Sequence, residues 1–235
     1  MRIFSFHLAK STAAATAGAL LRPPHPKNVR GLQHAECMAV MTLGSPIVSP
    51  ARMQLSNLAV FASWEDEAAL NDFLTDSELG KRLTSGWHVR LEFVRRWGRV
   101  SAFDDLPVPA RELEPDSPVV AVTLARLKLP EVPRFIRWGK PVEELVRDHP
   151  GATLALAAIR PPRTVSTFSV WRSVREMTDM VRGRGSVAAP DRHSTAMLER
   201  KRRDFHHEFT TLRFRALSEH GAWQGRNAIV PRSGP

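Results

Sequence analysis

Apolar and polar positions follow each other along this chain in patterns that predict strands and helices in a regular order. Short apolar or alternating runs predict buried or half-buried strands, and longer segments with apolar residues three or four positions apart predict helices. The predicted strands span residues 3–9, 35–43, 58–63, 87–97, 119–127, 152–159, 165–170 and 209–217. The predicted helices span residues 11–21, 67–75, 77–83, 134–147, 174–181 and 191–206. The sequence therefore predicts an α+β protein.

The two halves of the chain repeat one pattern. The segment Phe-Ala-Ser-Trp at residues 61–64 matches Phe-Ser-Val-Trp at residues 168–171, an offset of 107 positions. Leu-Glu-Phe at residues 91–93 matches Leu-Arg-Phe at residues 212–214 at an offset of 121, so the second copy carries about fourteen extra residues before its last strand. A repeat of this length is a duplicated domain, because solenoid repeats are roughly 20–50 residues long.

This duplication predicts two ferredoxin-like units that form a pseudo-dimer of the dimeric α+β barrel type. In this arrangement two antiparallel sheets face each other, the helices lie outside, and a concave apolar space between the sheets is expected to hold a ligand. The predicted units are residues 1–103 and 119–223, the second with a helical insertion at 182–206. Residues 104–118, rich in proline and acids, are predicted to be a linker, and residues 224–235 a disordered tail.

Composition indicates which partners, which cellular location and which covalent links to expect. The net charge of +10 favours anionic partners, and a peripheral contact with an anionic membrane is one expectation. Nucleic-acid binding is not expected, because no zinc-finger, helix-turn-helix or RNA-binding signature is present. The single cysteine, Cys37, excludes an intrachain disulfide, and no apolar run approaches the ~18 residues of a membrane helix, so a cytoplasmic protein is expected. A homo-oligomer is left open, and the sequence does not identify an electron donor.

Several catalytic signatures are missing from the sequence. It contains no dinucleotide-binding glycine fingerprint, no Walker motif, no Gly-x-Ser-x-Gly elbow and no tyrosine. Any demanding redox chemistry would therefore come from a bound cofactor or from the substrate itself.

Motifs concentrated in the second half resemble the spheroidene monooxygenase family, and the resemblance spans roughly residues 1–225. The motifs are Val-Thr-Leu-Ala-Arg-Leu at 122–127, Arg-Phe-Ile-Arg-Trp-Gly at 134–139, Thr-Phe-Ser-Val-Trp-Arg-Ser at 167–173, and the spacing of His193, Phe205, Glu208, Arg213 and Phe214. The resemblance implies a dimeric α+β barrel, a heme cofactor and oxygen-dependent oxygenation at the terminal C-2 region of an acyclic carotenoid. The chain departs from the family at Phe205-His206, where Trp-Tyr is expected.

His193 is the predicted heme ligand, because it falls at the family's histidine spacing and neutral imidazole binds iron well. Met197 and Arg200 follow at i+4 and i+7, so they share its helix face and are predicted to contact the cofactor. An arginine there can pair with a heme propionate. The alternative is a surface histidine near a helix N-terminus.

Three further residues are candidate site residues. Arg213 alternates with apolar neighbours in the last strand and is either a propionate clamp or a structural partner of Glu208 or another acid. Phe135 and Trp138 are predicted to line the substrate pocket, with core packing as the alternative.

The remaining histidines are weaker candidates. His206 and its neighbour His207 are expected to be a solvated or capping pair, and His7 could face the cavity. His88 and His220 are expected to be structural or surface residues.

These features favour a heme-dependent monooxygenase-like protein that acts on a small apolar substrate. Two alternatives stay open. One is a non-catalytic module that binds heme or another apolar ligand. The other is a cofactor-free oxygenase of the same fold.

Overall fold

A computed structural model of the protein describes residues 1–46, 49–108, 111–184 and 191–232. The elements of the first half are β1 (Ile3–Lys10), α1 (Ala13–Leu21), β2 (Leu32–Met41), β3 (Gln54–Trp64), α2 (Glu67–Asp76), α3 (Glu78–Thr84) and β4 (Trp87–Arg99). Those of the second half are β5 (Val119–Leu127), α4 (Val132–Arg147), β6 (Ala152–Arg160), β7 (Thr164–Trp171), α5 (Val174–Val181), α6 (Arg192–Arg202) and β8 (His206–His220).

Local sequence signals explain where two of the helices begin. The hydroxyl of Thr12 accepts a hydrogen bond from the amide of Ala15 and caps α1, and Ser173 caps α5 by accepting from the amide of Glu176. The predicted limits of β5 and α5 match the structure. The helix predicted to reach residue 206 instead ends at residue 202, and the chain is extended from Arg203 onward.

The eight strands close into one barrel in the order β1-β3-β2-β6-β7-β5-β8-β4, with every neighbouring pair antiparallel. The two repeats join at two seams, β2 with β6 and β4 with β8. The predicted α+β class and its duplicated ferredoxin-like arrangement are therefore confirmed.

Side chains fill the barrel interior, so the ligand space predicted between the sheets is wrong. Phe6 and Phe168, one from each repeat, stack with ring centroids 3.7 Å apart, and Phe4 lies 5.0 Å from Phe214. An eight-stranded barrel is just wide enough for its own side chains to pack inside. One buried core therefore spans both repeats, which are halves of a single domain.

A buried ionic cluster lies toward one end of the barrel. Glu36, whose side chain is only 1% exposed, accepts hydrogen bonds from Arg126 (2.6 Å) and Arg160 and contacts His34 (3.1 Å). Glu208 binds Arg126 from the other side at 2.9 Å. Because Glu36 belongs to the first repeat and both arginines to the second, the cluster ties the two repeats together.

The segment after β8 packs on the barrel, so the predicted disorder of residues 224–235 is wrong for its described part, 224–232. Ile229 is 2% exposed and joins the barrel core. The amides of Ile229 and Val230 donate to the carboxylate of Glu219 at 2.7 and 3.0 Å, and Thr153 donates to the Ile229 carbonyl. The apolar Ala-Ile-Val run within this polar tail is the signal for its burial.

The two halves differ in how their last helices are connected. In the first half, α3 follows α2 after the single residue Ser77 and packs on β1 and β4. In the second half, ten residues separate α5 from α6, and α6 packs chiefly on α4. The extra residues therefore lengthen a connection and a helix that both halves possess, and a space remains beneath α6.

Candidate functional site

A cavity of about 680 Å³ lies outside the barrel, between the second repeat's sheet and helices α4, α5 and α6. This volume falls in the range of small-molecule sites. Its floor includes Ala121, Thr123 and Ala125 of β5, which alternate with core residues such as Val122. The lining includes all six predicted site residues, which are Phe135, Trp138, His193, Met197, Arg200 and Arg213. The structure thus brings them together, and their roles remain predictions.

His193 presents one free ring nitrogen at the cavity wall. Its Nδ1 lies 3.0 Å from the carbonyl oxygen of Val181. A carbonyl can only accept, so Nδ1 carries the proton and Nε2 keeps its lone pair. Burial lowers the pKa of His193, and the hydrogen bond to Val181 opposes this only in part. The ring is therefore a neutral imidazole with a fixed tautomer, the form that binds metals.

Three arginines of the cavity lining form a cationic cluster. Arg213 lies directly opposite Arg95 in the β4–β8 ladder, and their guanidinium carbons lie 4.3 and 4.9 Å from the ring centroid of Trp97. Burial lowers the pKa of Arg213 to about 10, with further lowering from Arg95 and Arg182. Like charges placed opposite each other destabilise a sheet. The three like charges therefore repel one another, and a bound anion would reduce this repulsion.

Within the described residues, no carboxylate forms an ion pair with any member of this cluster. Glu208, the predicted structural partner of Arg213, binds Arg126 instead at 2.9 Å. Arg213 and Glu208 alternate in direction along β8, which explains why they do not meet. A carboxylate supplied by a ligand would fit the cluster, since buried arginine requires an anionic partner.

Arg200 is already engaged by the protein. Its guanidinium carbon lies 3.8 Å from the Phe209 ring centroid, and its Nε lies 3.4 Å from both carboxylate oxygens of Asp204. Phe135 packs edge-on against Phe205. This end of the cavity is therefore aromatic, and Arg200 is less available to a ligand anion than Arg213.

His206 is a cavity residue that the sequence interpretation missed. It is 6% exposed, and its Nδ1 lies 2.8 Å from Asp204, whose Oδ1 also accepts the His206 amide at 3.0 Å. Burial lowers the pKa of His206, although the Asp204 carboxylate opposes the shift. His206 is therefore not part of a solvated pair with His207, which is exposed.

A register shift explains the position of His206. In the β5–β8 ladder Arg126 pairs with Glu208 but Leu127 pairs with His206, so one residue, His207, is extra. A bulge of this kind re-aims the side chains on one side of it. Without it, alternation from Thr210 and Glu208 would direct His206 toward the barrel interior. The sequence contains no clear signal for the bulge.

Three other histidines stack across the neighbouring strands β1, β4 and β8. His7 stacks on His88 and His88 on His220, with ring centroids 5.0 and 4.7 Å apart. The expectation that His7 faces the cavity is wrong, because β1 contributes no residue to the cavity lining. In the described part of the chain, no group of three or more His, Cys, Asp or Glu residues is arranged to hold a metal ion.

Trp64 and Trp171, at equivalent repeat positions, both pack against the sheet. Their indole nitrogens donate to Ser5 (3.0 Å) and Ser169 (2.8 Å).

Among the helices that the structure describes, none has both the length and the apolar composition to cross a membrane.

Known proteins that are similar to this chain in sequence include spheroidene monooxygenases. No family model matches the chain. Spheroidene monooxygenase of Rhodobacter capsulatus is 26% identical over 182 residues, covering 74% of this chain and 72% of that protein. Spheroidene monooxygenase of Rubrivivax gelatinosus is 28% identical over 178 residues, covering 74% of this chain and 66% of that protein.

A solved structure supports the fold. Aldoxime dehydratase in complex with butyraldoxime superposes with a TM-score of 0.52 at 9% identity, covering 92% of this chain and 79% of that one. At this identity the likeness concerns the fold alone. The sequence comparisons support an enzyme of the oxygenase class, and they relate about three quarters of this chain to the spheroidene monooxygenases.

Proposed function

We propose that this protein is a heme-dependent monooxygenase that oxygenates an elongated apolar substrate of the acyclic carotenoid class. The observation that carries the proposal is the pairing, in one largely apolar cavity, of a neutral histidine with a free Nε2 and a cluster of arginines without carboxylate partners. These are the groups that an iron porphyrin with two carboxylates requires. The named relatives support the reaction class and the substrate class.

Residues of the cavity offer partners for both the iron and the propionates of a heme. His193 would bind the iron through Nε2, with the Val181 carbonyl fixing its tautomer and ring orientation. Arg95, Arg182 and Arg213 would bind the propionates, which would relieve the repulsion within the arginine cluster. A bound heme supplies the oxygen activation that amino-acid side chains cannot perform.

The walls of the cavity suit a long apolar molecule. Seven positions of β8 separate Arg213 from His206, about 20 Å of strand, and both residues line the cavity. Small side chains such as Ala121, Ala125 and Ala157 leave room along this path. Monooxygenation inserts one atom of O2 into the substrate and releases the other as water, so a donor outside this chain would supply two electrons.

An absorption spectrum from 350 to 700 nm, recorded before and after dithionite and CO on protein expressed with a heme precursor, tests the proposal. We expect a stoichiometric Soret band that shifts with CO. His193→Ala should lose the band, whereas His207→Ala, which changes an exposed histidine nearby, should keep it.

Other outcomes would contradict parts of the proposal. A folded, heme-free protein that consumes oxygen with substrate would indicate a cofactor-free oxygenase. A six-coordinate iron that does not bind CO would indicate a binding module. Loss of the band in His206→Ala but not in His193→Ala would assign the ligand to His206.

A further inference from the structure

The helices that cover the two halves of the barrel differ in charge. In the second half, α4, α5 and α6 together carry nine basic and five acidic residues, a net charge of +4. In the first half, α1, α2 and α3 carry two basic and four acidic residues, a net charge of −2. An anionic surface would therefore attract the side of the protein on which the helices cover the cavity.

Two of these helices, α4 and α6, lie side by side and run in opposite directions. Arg134, near the start of α4, donates a hydrogen bond of 2.7 Å to Glu199, near the end of α6. Glu144, near the end of α4, pairs with Arg192 at the start of α6, with 3.4 Å between their closest atoms. One side of each helix lines the cavity. The pair therefore forms a layer with an inner face on the cavity and an outer face turned away from it.

Apolar side chains remain on the outer face of this layer. Leu198 directly follows the cavity residue Met197 in α6, and it is 65% exposed. Leu129, just before α4, is 43% exposed. Ile136 lines an open groove of about 590 Å³ along α4, and no residue that lines this groove also lines the cavity. Contact with lipid would remove these apolar side chains from water.

Cations lie beside these apolar side chains. Arg137 and Lys140 line the same groove of α4, and Lys201 is an exposed residue three positions after Leu198. Among the described residues, none of these three cations forms an ion pair, whereas Glu144, the carboxylate in the groove, already has an arginine partner. The three positive charges are therefore available to an anionic partner.

The combination of cations with exposed leucines favours a lipid surface over nucleic acid. Anionic headgroups attract Lys and Arg, and apolar side chains enter the boundary between the headgroups and the acyl chains. Nucleic-acid strands are bound by cations together with aromatic side chains that stack on the bases. In the part of the chain that the structure describes, no aromatic residue lines the groove.

We propose that the outer face of α4 and α6 binds an anionic lipid membrane, with Arg137, Lys140 and Lys201 at the headgroups and Leu198 at the apolar boundary. The inner face of the same two helices then holds the cavity about 10 Å from the lipid, the width of one helix. An apolar ligand has only this layer to pass between the membrane and the cavity. Vesicle binding needs no heme, so it goes beyond the proposed function and can be tested apart from it.

Co-sedimentation with phosphatidylcholine vesicles, prepared with and without phosphatidylglycerol, measures this binding. We expect binding to the vesicles that contain phosphatidylglycerol, about tenfold weaker at ~500 mM salt than at ~50 mM salt. Lys140→Gln should weaken the binding about fivefold, as expected for one cation at a membrane surface. Lys81→Gln removes an exposed cation from α3 of the first half, and this matched control should leave the binding unchanged.

A second pair of variants tests the apolar contact. Leu198→Ser should weaken vesicle binding about fivefold, because a leucine side chain no longer leaves water. Leu21→Ser, at the end of α1, changes a leucine that is 82% exposed on the first half and should have no effect. Double-stranded DNA is the comparison polyanion, and Leu198→Ser should not change the affinity for it.

A fluorescent label shows which face touches the vesicle. The single native cysteine, Cys37, is buried, so a thiol-reactive, polarity-sensitive dye attaches selectively to an introduced cysteine. In Leu198→Cys the emission of the dye should move to shorter wavelength when vesicles containing phosphatidylglycerol are added. In Leu21→Cys it should stay the same.

Three results would overturn the inference. They are equal binding to neutral and anionic vesicles, absence of vesicle binding, and an unchanged emission from the label at position 198. Binding to DNA that is tighter than vesicle binding and insensitive to Leu198→Ser would identify a nucleic-acid surface instead. The proposed function can fail separately: a protein without heme can still bind vesicles, and a heme protein can lack this binding.

Discussion

Replacing Glu36 with glutamine removes the buried negative charge that joins the two repeats. Burial alone would raise the pKa of Glu36. The hydrogen bond from His34 and the positive charges of Arg126 and Arg160 outweigh burial and lower this pKa from 4.5 to about 2. At about 1.4 kcal/mol per pH unit, the interval between 4.5 and about 2 corresponds to about 3 kcal/mol of folding stability. Removal of one partner from a buried ion pair costs a similar amount, about 3–5 kcal/mol.

Urea unfolding at several pH values measures this contribution. Since the folded-state pKa is depressed, the contribution is complete above pH 4.5 and is lost as the pH falls toward 2. Glu36→Gln should therefore lower the free energy of unfolding by about 3 kcal/mol at pH 7, and the gap to the parent protein should narrow below pH 4.5. Glu78→Gln, at a side chain that is 92% exposed, is the control and should change the free energy of unfolding by less than about 0.5 kcal/mol. A cost below about 1 kcal/mol at pH 7, or one that does not change with pH, would refute the reasoning.

Three further predictions concern other parts of the barrel. Ile229→Ala should lower the free energy of unfolding by about 2–4 kcal/mol in urea, because it opens a cavity in the core, and a negligible change would mean that the tail does not pack there. Burial, His220 and Arg90 lower the pKa of His88 from 6.5 to about 4. The free energy of unfolding in urea should therefore decline as the pH falls from 6.5 to 4, by about 2 kcal/mol after a discount for solvent screening, and His88→Phe should flatten this decline. Arg213→Met should stabilise the heme-free protein by up to about 1 kcal/mol, because it relieves like-charge repulsion. The same change should weaken heme binding about tenfold in a titration, and an unchanged heme affinity would argue against a propionate contact.

Much of the fold could be predicted from local patterns. The apolar run of β5 and the Ser173 cap of α5 mark those elements to the residue, because burial and capping act over a few positions. The internal repeat indicated the pseudo-dimer. Barrel closure depends on the seams β2–β6 and β4–β8, which join distant segments and leave no local signal. The cavity was therefore expected inside the barrel, where Phe6 and Phe168 stack.

The candidate site was predictable only in part. Helical spacing was sufficient to group His193, Met197 and Arg200 on one wall, because side chains three or four positions apart share a helix face. His206 was missed because its direction depends on a bulge, which one added residue creates. The absence of a carboxylate beside Arg213 also could not be read from the sequence, since nearby Glu208 offers an apparent partner that binds Arg126 instead.

The unequal lengths of the connections before α3 and α6 affect how easily the cavity beneath α6 can change in size. Because one residue joins α2 to α3, that helix is held against the strands, whereas ten residues allow α6 to stand away from the sheet. Loop closure becomes only slightly less favourable as a connection lengthens. Insertions and deletions between α5 and α6 can therefore change the volume of the cavity while the hydrogen-bonded barrel stays the same. Duplication gave this protein one half that maintains the architecture and another that is free to change its ligand.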